Sequence, residues 1–204
     1  NYGTAIVGTV SGTSISFGTA VVFNTARSDY ISSTYDANAQ KIVVSYKDVG
    51  NSNYGTAIVG TVSGTSISFG TPVVYNAAAV TENITTYDSL AQKVSVVFKD
   101  TSVNELRVST GTVSGTNITF DSSVLVASNV SYPTAVYDVN ADKTVIGYAD
   151  QNNSSYGTAK ATGFSTDLTP NTDYYVQADG LLSTTTSTVP AGRALSTTSI
   201  LLEG

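Results

Sequence analysis

The sequence predicts an all-β chain. Tandem four-stranded antiparallel blade-like repeats of about 50 residues, β-propeller-like or stacked as fibre units, precede a small C-terminal β module. Three observations predict it. Residues 1–19 (NYGTAIVGTVSGTSISFGT) return without a change at residues 53–71. A third copy follows at Val108–Phe120 (VSTGTVSGTNITF) and a partial fourth opens at Tyr156 (YGTAKATGF), with 52 residues from Tyr2 to Tyr54 and 51 from Gly60 to Gly111. Apolar residues alternate in KIVVSYK, KVSVVFK and KTVIGYA, and no segment shows helical periodicity.

One unit, read from Asp29, justifies each element in turn. Tyr30–Tyr35 (YISSTY) is predicted as the first strand. Asp36 to Gln40 (DANAQ) is a turn, because Asp and Asn favour turn conformations. Lys41–Lys47 is the second strand, with Ile42, Val44 and Tyr46 on one face and Val43 and Ser45 on the other. It is apolar on much of both faces and is expected between two layers, with Val44, Val96 and Ile146 among the least exposed residues. Residues 48–53 form a loop, Tyr54–Val62 the third strand, and Ser63-Gly64 a tight hairpin turn. Thr65–Phe69 and Pro72–Tyr75 read as a broken fourth strand with Gly70 as a bulge or bend.

The other copies keep this layout. Tyr35-Asp36, Tyr87-Asp88 and Tyr137-Asp138 precede the turn, Lys41, Lys93 and Lys143 follow it, and Asp48, Asp100 and Asp150 close the second strand. The expected organisation is a partial unit at 1–28, units at 29–81 and 82–129, a partial unit at 130–164, and the C-terminal module at 165–204. A propeller usually takes four to eight blades, more than these units supply. The chain starts inside a repeat without Met, so further repeats are expected upstream. In the module, Asp167 to Asp173 reads as a linker, Tyr174–Ala178 as a strand, Asp179-Gly180 as a hairpin turn, and Leu181–Thr185 as its partner. Val189 to Gly192 reads as another turn, and Arg193–Leu202 contains the last strand. A β module this short is expected to need a partner surface.

Composition removes several function classes. With no Cys and no His, the chain has no disulfide, no Cys/His zinc site and no triad that needs a histidine base. Only 12% of residues are charged, the net charge is −6 and the nine basic residues are scattered, which argues against nucleic acid as a partner. No apolar run reaches the ~18–20 residues of a membrane-spanning helix. Hydrophobic residues make up 41% of the chain and recur in strand patterns, which argues against disorder.

The residues that carry chemistry are few. Asp36, Asp88 and Asp138 supply too few oxygens for calcium and fit turn initiation instead, and Asp48, Asp100 and Asp150 fit loop chemistry. Glu82 and Glu105, the only glutamates in the repeats, depart from the repeat, and neither lies in a glycosidase-like motif. No catalytic residue, metal ligand or cofactor is expected. Gly8, Gly12, Gly60, Gly64 and Gly111 read as hairpin glycines, since no helix follows them as in a phosphate loop. Tyr30, Tyr35, Tyr46 and Tyr54, with their counterparts, either stack on sugars or pack across strands. Tyr2, Tyr54 and Tyr156, beside Gly and after polar loops, are the candidate ligand-binding residues.

The repeat pattern YGTAIVGTVSGTSISFGTPVVYN, followed by YD, QKVSVVFKD and their counterparts, resembles virion fibre and appendage proteins of marine tailed bacteriophages. The closing stretch TPNTDYYVQADGLLSTTTSTVPAGRALSTTSILLEG is similar to the C-terminal module of such proteins. The resemblance spans nearly the whole chain. It implies a structural or attachment role on the particle, as a tail fibre or a capsid fibre or knob. It carries over no catalytic residue. The partners it implies are other virion proteins and copies of the chain itself, in fibres most often as a trimer, with a host surface glycan as the attachment target. The alternative from the residues alone is a secreted bacterial carbohydrate-binding adhesin or lectin with blade repeats.

Overall fold

The computed structural model describes residues 1–162, 173–176, 182–183, 190–194 and 200–202. The chain divides into two compact units, Asn1–Ala161 and Thr162–Gly204. The described residues are all-β apart from one 3-10 turn at Gln151–Asn153.

The repeats of the first unit fold as successive antiparallel meanders. The first partial unit gives β1 (Tyr2–Ala5), β2 (Gly8–Ser11), β3 (Ser14–Phe17) and the start of β4 (Val21–Asp36). The first complete unit uses the rest of β4, then β5 (Lys41–Asp48), β6 (Tyr54–Ser63), β7 (Ser66–Phe69) and the start of β8 (Val73–Asp88). The second uses the rest of β8, then β9 (Lys93–Asp100), β10 (Glu105–Ser114), β11 (Asn117–Phe120) and β12 (Val124–Ser128). The last partial unit holds β13 (Val130–Asp138), β14 (Lys143–Asp150) and β15 (Tyr156–Thr162).

The first strand of one unit and the last piece of the unit before it were expected as separate strands, but they are one strand. Val21–Asp36 and Val73–Asp88 each run 16 residues. The start of β8 pairs with β6, and from Val80 onward the same strand pairs with β9. β4 does the same between β1 and β5. The ladder is therefore continuous in the order β1-β4-β5-β6-β8-β9-β10-β11, with β7 on β6 and β12 on β10, and it does not close on itself. Each passage is marked by a bulge. The register shifts between Asp29 and Ser32, Thr81 and Ile84, and Ser131 and Thr134, where Tyr30, Glu82 and Tyr132 hold φ of 51°, 56° and 54°. A left-handed residue in a strand leaves the ladder locally unpaired and bends it.

The fourth strand is broken as expected, with β7 on the second half of β6 and the start of β8 on its first half. Gly70 between them is not a bulge, and its role is close approach. A Cβ there would lie 2.0 Å from the Thr116 carbonyl oxygen of the next unit. The hairpin loop is Gly64-Thr65, one residue later than expected, because Ser63 pairs with Ser66 and Gly64 takes φ +58°. Gly60 and Gly111 are not hairpin residues either. They sit inside β6 and β10, opposite Phe69 and Phe120.

The core lies between successive sheets. Phe23, Val44, Tyr46 and Ile58 form one buried cluster; Val43, Val59, Tyr75, Val94, Val96 and Phe98 belong to the next. Val44, Val96 and Ile146 are all buried, as the two-sided apolar pattern of the second strands requires. Phe23 lies 5.2 Å from Tyr46 and 5.5 Å from Phe69, and Tyr75 lies 5.0 Å from Phe98 and 5.6 Å from Phe120. The same tilted aromatic cluster is thus built twice, once per repeat.

The second unit contains a four-stranded sheet in the order β17-β16-β18-β19, from β16 (Asp173–Val176), β17 (Leu182–Ser183), β18 (Pro190–Ala194) and β19 (Ile200–Leu202). The turn expected at Val189 to Gly192 is instead strand from Pro190 onward. Proline begins that strand, a position where its missing N–H costs no internal ladder bond. Arg193–Leu202 is divided, with Arg193 in β18 pairing to Leu201 in β19. Asp173, placed in a linker, pairs with Arg193. The Asp179-Gly180 turn and the rest of the linker lie outside the described residues.

Candidate functional site

The repeated aspartates are occupied by the backbone beside them. Asp36 Oδ1 accepts from the Ala39 amide at 2.9 Å. Asp88 Oδ1 accepts from Leu90 and Ala91 at 3.0 and 2.8 Å, and Asp138 Oδ1 from Asn140 and Ala141 at 2.9 and 3.1 Å. The second set behaves alike. Asp48 accepts from the Gly50 amide and from Asn24 Nδ2, both at 3.1 Å. Asp100 accepts from the Ser102 amide and hydroxyl at 2.9 and 2.6 Å and from Asn76 Nδ2 at 3.1 Å. Burial disfavours the charged form of Asp100, but these donors outweigh it and hold the carboxyl below its ordinary range. Asp150 accepts from the Asn152 amide. The bonds from the neighbouring amides are Asx-turn bonds, and Asn24 and Asn76 tie Asp48 and Asp100 to the strand before.

Glu82 and Glu105, the two glutamates of the repeats, have separate partners. Glu105 pairs with Arg107, which also donates to Ser123. Glu82 Oε1 accepts from the Tyr132 amide at 3.2 Å, across two successive bulges. Among the described residues no group of three or more acids could hold a metal ion.

Tyr2, Tyr54 and Tyr156 open β1, β6 and β15, so each takes the same corner of its own unit. The loops before two of them end in paired left-handed residues, Ser52 and Asn53 before Tyr54, and Ser154 and Ser155 before Tyr156. Tyr2 and Tyr156 are exposed and Tyr54 is half-buried, beside Ala79 and Asp48 in its ladder. No hydrogen bond or ring contact joins the three among the described residues. Of the other tyrosines named from sequence, Tyr46 is fully buried and cannot meet a ligand.

Sequence reasoning named Tyr30 as a tyrosine that could stack on a sugar but missed the bulge that presents it. Tyr30 and Tyr132 project from their strands there, and Tyr132 is 81% exposed. Beside Tyr30, Arg27 Nε lies 2.9 Å from Asp29 Oδ1 and Lys47 Nζ 3.3 Å from Asp29 Oδ2. Lys47 Nζ also lies 5.1 Å from the Tyr30 ring centre, within cation–π range. The Arg27 hydrogen bond is the main cause that lowers the Asp29 carboxyl, and the same bond raises Arg27. The only sequence signal for this corner is the spacing that aligns Tyr30, Glu82 and Tyr132. An exposed aromatic next to paired charges can stack on an apolar sugar face while the charged groups bond hydroxyls.

No protein-family model matches the chain, and neither the curated proteins nor the solved structures contain a significant match to it.

Proposed function

We propose that this protein is a structural component of a phage particle, a fibre or a capsid decoration or knob that serves particle architecture or host-surface attachment. The observation that carries the reading is the reuse of one sheet. The same aromatic cluster recurs in two successive repeats, the same turn carboxylates and the same bulge recur in three, and the carboxylates serve turns and ion pairs. Repetition of this kind supplies surface, reach and multivalency. The resemblance of the repeat and of the C-terminal stretch to phage appendage proteins points the same way. In this reading the sheets are blade-like units, ordered around an axis or along a fibre, at the virion surface. The protein acts there without a cofactor, beside other virion proteins and copies of itself. Its exposed tyrosines at the sheet corners, Tyr2, Tyr156 and Tyr132, are the surface offered to a host glycan.

Mass spectrometry of gradient-purified particles from the source culture tests this. Peptides of this chain are expected in the particle band at the stoichiometry of other structural proteins. Recovery only from a bacterial cell-wall fraction would replace the reading with the secreted adhesin.

A further inference from the structure

Successive units lean on one another through their outer hairpins, and each hairpin is seated on a glycine of the unit before. The hairpins β2–β3, β6–β7 and β10–β11 are built alike. Gly8 pairs with Phe17, Gly60 with Phe69 and Gly111 with Phe120. The residue after each hairpin closes it with the same backbone bond. The Gly18 amide donates to Val7, the Gly70 amide to Val59 and the Asp121 amide to Thr110, each at 2.9 Å.

At the first two of these positions the tip of the next hairpin comes down on the glycine. A Cβ on Gly18 would lie 1.9 Å from the Thr65 carbonyl oxygen, and one on Gly70 would lie 2.0 Å from that of Thr116. The obstacle is backbone, so no rotamer change makes room, and overpacking there has to push the units apart. Neither glycine has a left-handed φ, so what the position demands is the absence of a side chain.

The third position carries Asp121. Its backbone is bonded as at Gly18 and Gly70, so its Cβ takes the space that a threonine carbonyl fills at the other two. The carboxylate is tied within its own unit. Lys93 Nζ lies 3.0 Å from Asp121 Oδ2, and the Thr110 hydroxyl donates to the same oxygen at 3.1 Å. Val7 and Val59 stand where Thr110 stands, and Lys41, the counterpart of Lys93, makes no ion pair among the described residues. The sequence of the following copy changes in step. The copies after Gly18 and Gly70 carry their turns as Ser-Gly-Thr, at 63–65 and 114–116. The copy after Asp121 opens at Tyr156, reads YGTAKATGFSTDLT and has no Ser-Gly-Thr. Glycine occupies the seat where such a hairpin follows, and aspartate where none does.

We propose that Asp121 is the stop residue of the hairpin stack. It makes β10–β11 the last hairpin and bars a further one, of this chain or of another copy, from docking on that face. Repeat arrays need such an end, because each unit otherwise offers the next the surface it has just used. A contact between unlike surfaces that does not close runs on as a filament. A side chain in the glycine seat removes one of the two surfaces, and the Lys93 and Thr110 bonds keep that side chain in place. The inference rests on packing between repeats, and it holds for a particle component and for an adhesin alike.

The test places this residue inside a stack. In a chain with residues 71–121 repeated directly after Asp121, that residue is followed by a Ser-Gly-Thr hairpin, and the inserted copy supplies a new end. Thermal melts compare the lengthened chain with and without Asp121→Gly, and the unaltered chain with and without the same change. Asp121→Gly should raise Tm by about 4 °C or more in the lengthened chain, where it opens the seat. In the unaltered chain it should lower Tm slightly, since there it only loses the exposed Lys93 and Thr110 bonds. No rise in the lengthened chain would show that Asp121 merely holds its own hairpin and would overturn the proposal. A second pair decides the matter if the lengthened chain does not fold. Gly70→Asp should lower the Tm of the unaltered chain by about 4 °C or more. Shortening residues 114–117 to Asn-Gly keeps the Val113–Ile118 pair and withdraws the Thr116 carbonyl, so it should remove most of that loss. An equal loss with either hairpin would show that the next hairpin does not use the seat, and the proposal would fall.

Discussion

Tyr75→Phe should stabilise this protein, although it removes a polar group and adds nothing. The Tyr75 ring is buried against Phe98 and Phe120, and its hydroxyl finds no hydrogen-bond partner. The chain already contains the replacement. Phe23 takes the equivalent place one repeat earlier, with ring contacts at 56° and 55° where Tyr75 makes 57° and 54°. The exchange therefore keeps the packing and deletes only a desolvated hydroxyl. Leaving a buried polar group unpaired costs roughly 1–3 kcal/mol, and the small void left by the oxygen gives part of that back, so a net gain of about 1 kcal/mol is expected. In a domain of this size that is a rise of roughly 2–4 °C in Tm.

The same burial sets an alkaline limit. It pushes the Tyr75 hydroxyl far above the ordinary tyrosine range, and it raises Tyr46 as well, with the Asp48 charge adding to the effect there. The folded pKa is above the unfolded one, so the contribution is complete below about pH 10, where a free tyrosine titrates, and is lost as pH rises through the folded value. Between about pH 10 and the folded value each such tyrosine costs about 1.4 kcal/mol of stability per pH unit, because only the unfolded chain releases its proton there. Urea unfolding of Tyr75→Phe near neutral pH and near pH 11 measures both effects. The variant should be more stable at the first and should lose less between the two. A variant destabilised at neutral pH, or one with an unchanged alkaline slope, would show that the hydroxyl has a partner and that the reasoning fails.

Three further outcomes are expected. Gly55→Ala should destabilise by about 1–3 kcal/mol, because its Cβ would sit 2.4 Å from Tyr75 Cε2. The Gly55→Leu/Tyr75→Val double variant copies Leu106 and Val126 of the next unit and should recover much of the loss, a coupling that thermal melts of the singles and the double would read. Asp100 is held below its ordinary range, so its contribution is present above the unfolded carboxylate pKa and is lost as pH falls through the folded value. Asn76→Ala removes one of its donors and should shrink the stability lost on acidification. Val96→Ala, at a fully buried second-strand position, should cost about 2 kcal/mol by transfer and cavity terms, and an unmoved thermal midpoint would contradict its place in the core.

Alternation and repetition made the second and third strands legible, because both report directly on which residues face a layer. The continuity of β4 and β8 was not legible. It depends on Tyr30 and Glu82 adopting positive φ, and neither Tyr nor Glu advertises that conformation as Gly or Asn does. The turn carboxylates were legible because an Asp two or three residues before a free amide makes a local bond whatever surrounds it. The tyrosines were not, since their exposure is fixed by what lies against the sheet. Tyr46 is enclosed by Phe23, one repeat earlier, whereas Tyr132 stands clear at its bulge.

Residues 1–19 and 53–71 isolate this dependence on neighbours, since every local propensity is the same in both. In the second copy Tyr54–Ser63 is one strand, paired to β5 on one side and to β7 and β8 on the other. In the first copy the same letters break into β1 and β2, with no second strand beside them. Ile58 is 2% exposed and its counterpart Ile6 is 49% exposed. Matched truncations should therefore diverge. Ile58→Ala removes a buried side chain from the cluster of Phe23, Val44 and Tyr46 and should cost roughly 2–4 kcal/mol. Ile6→Ala makes the same change at a half-open site and should stay within about 0.5 kcal/mol in dilute solution. Denaturant unfolding of the two variants, at concentrations where the chain is monomeric, measures the difference. Equal costs would mean that the first copy is covered in solution as the second is.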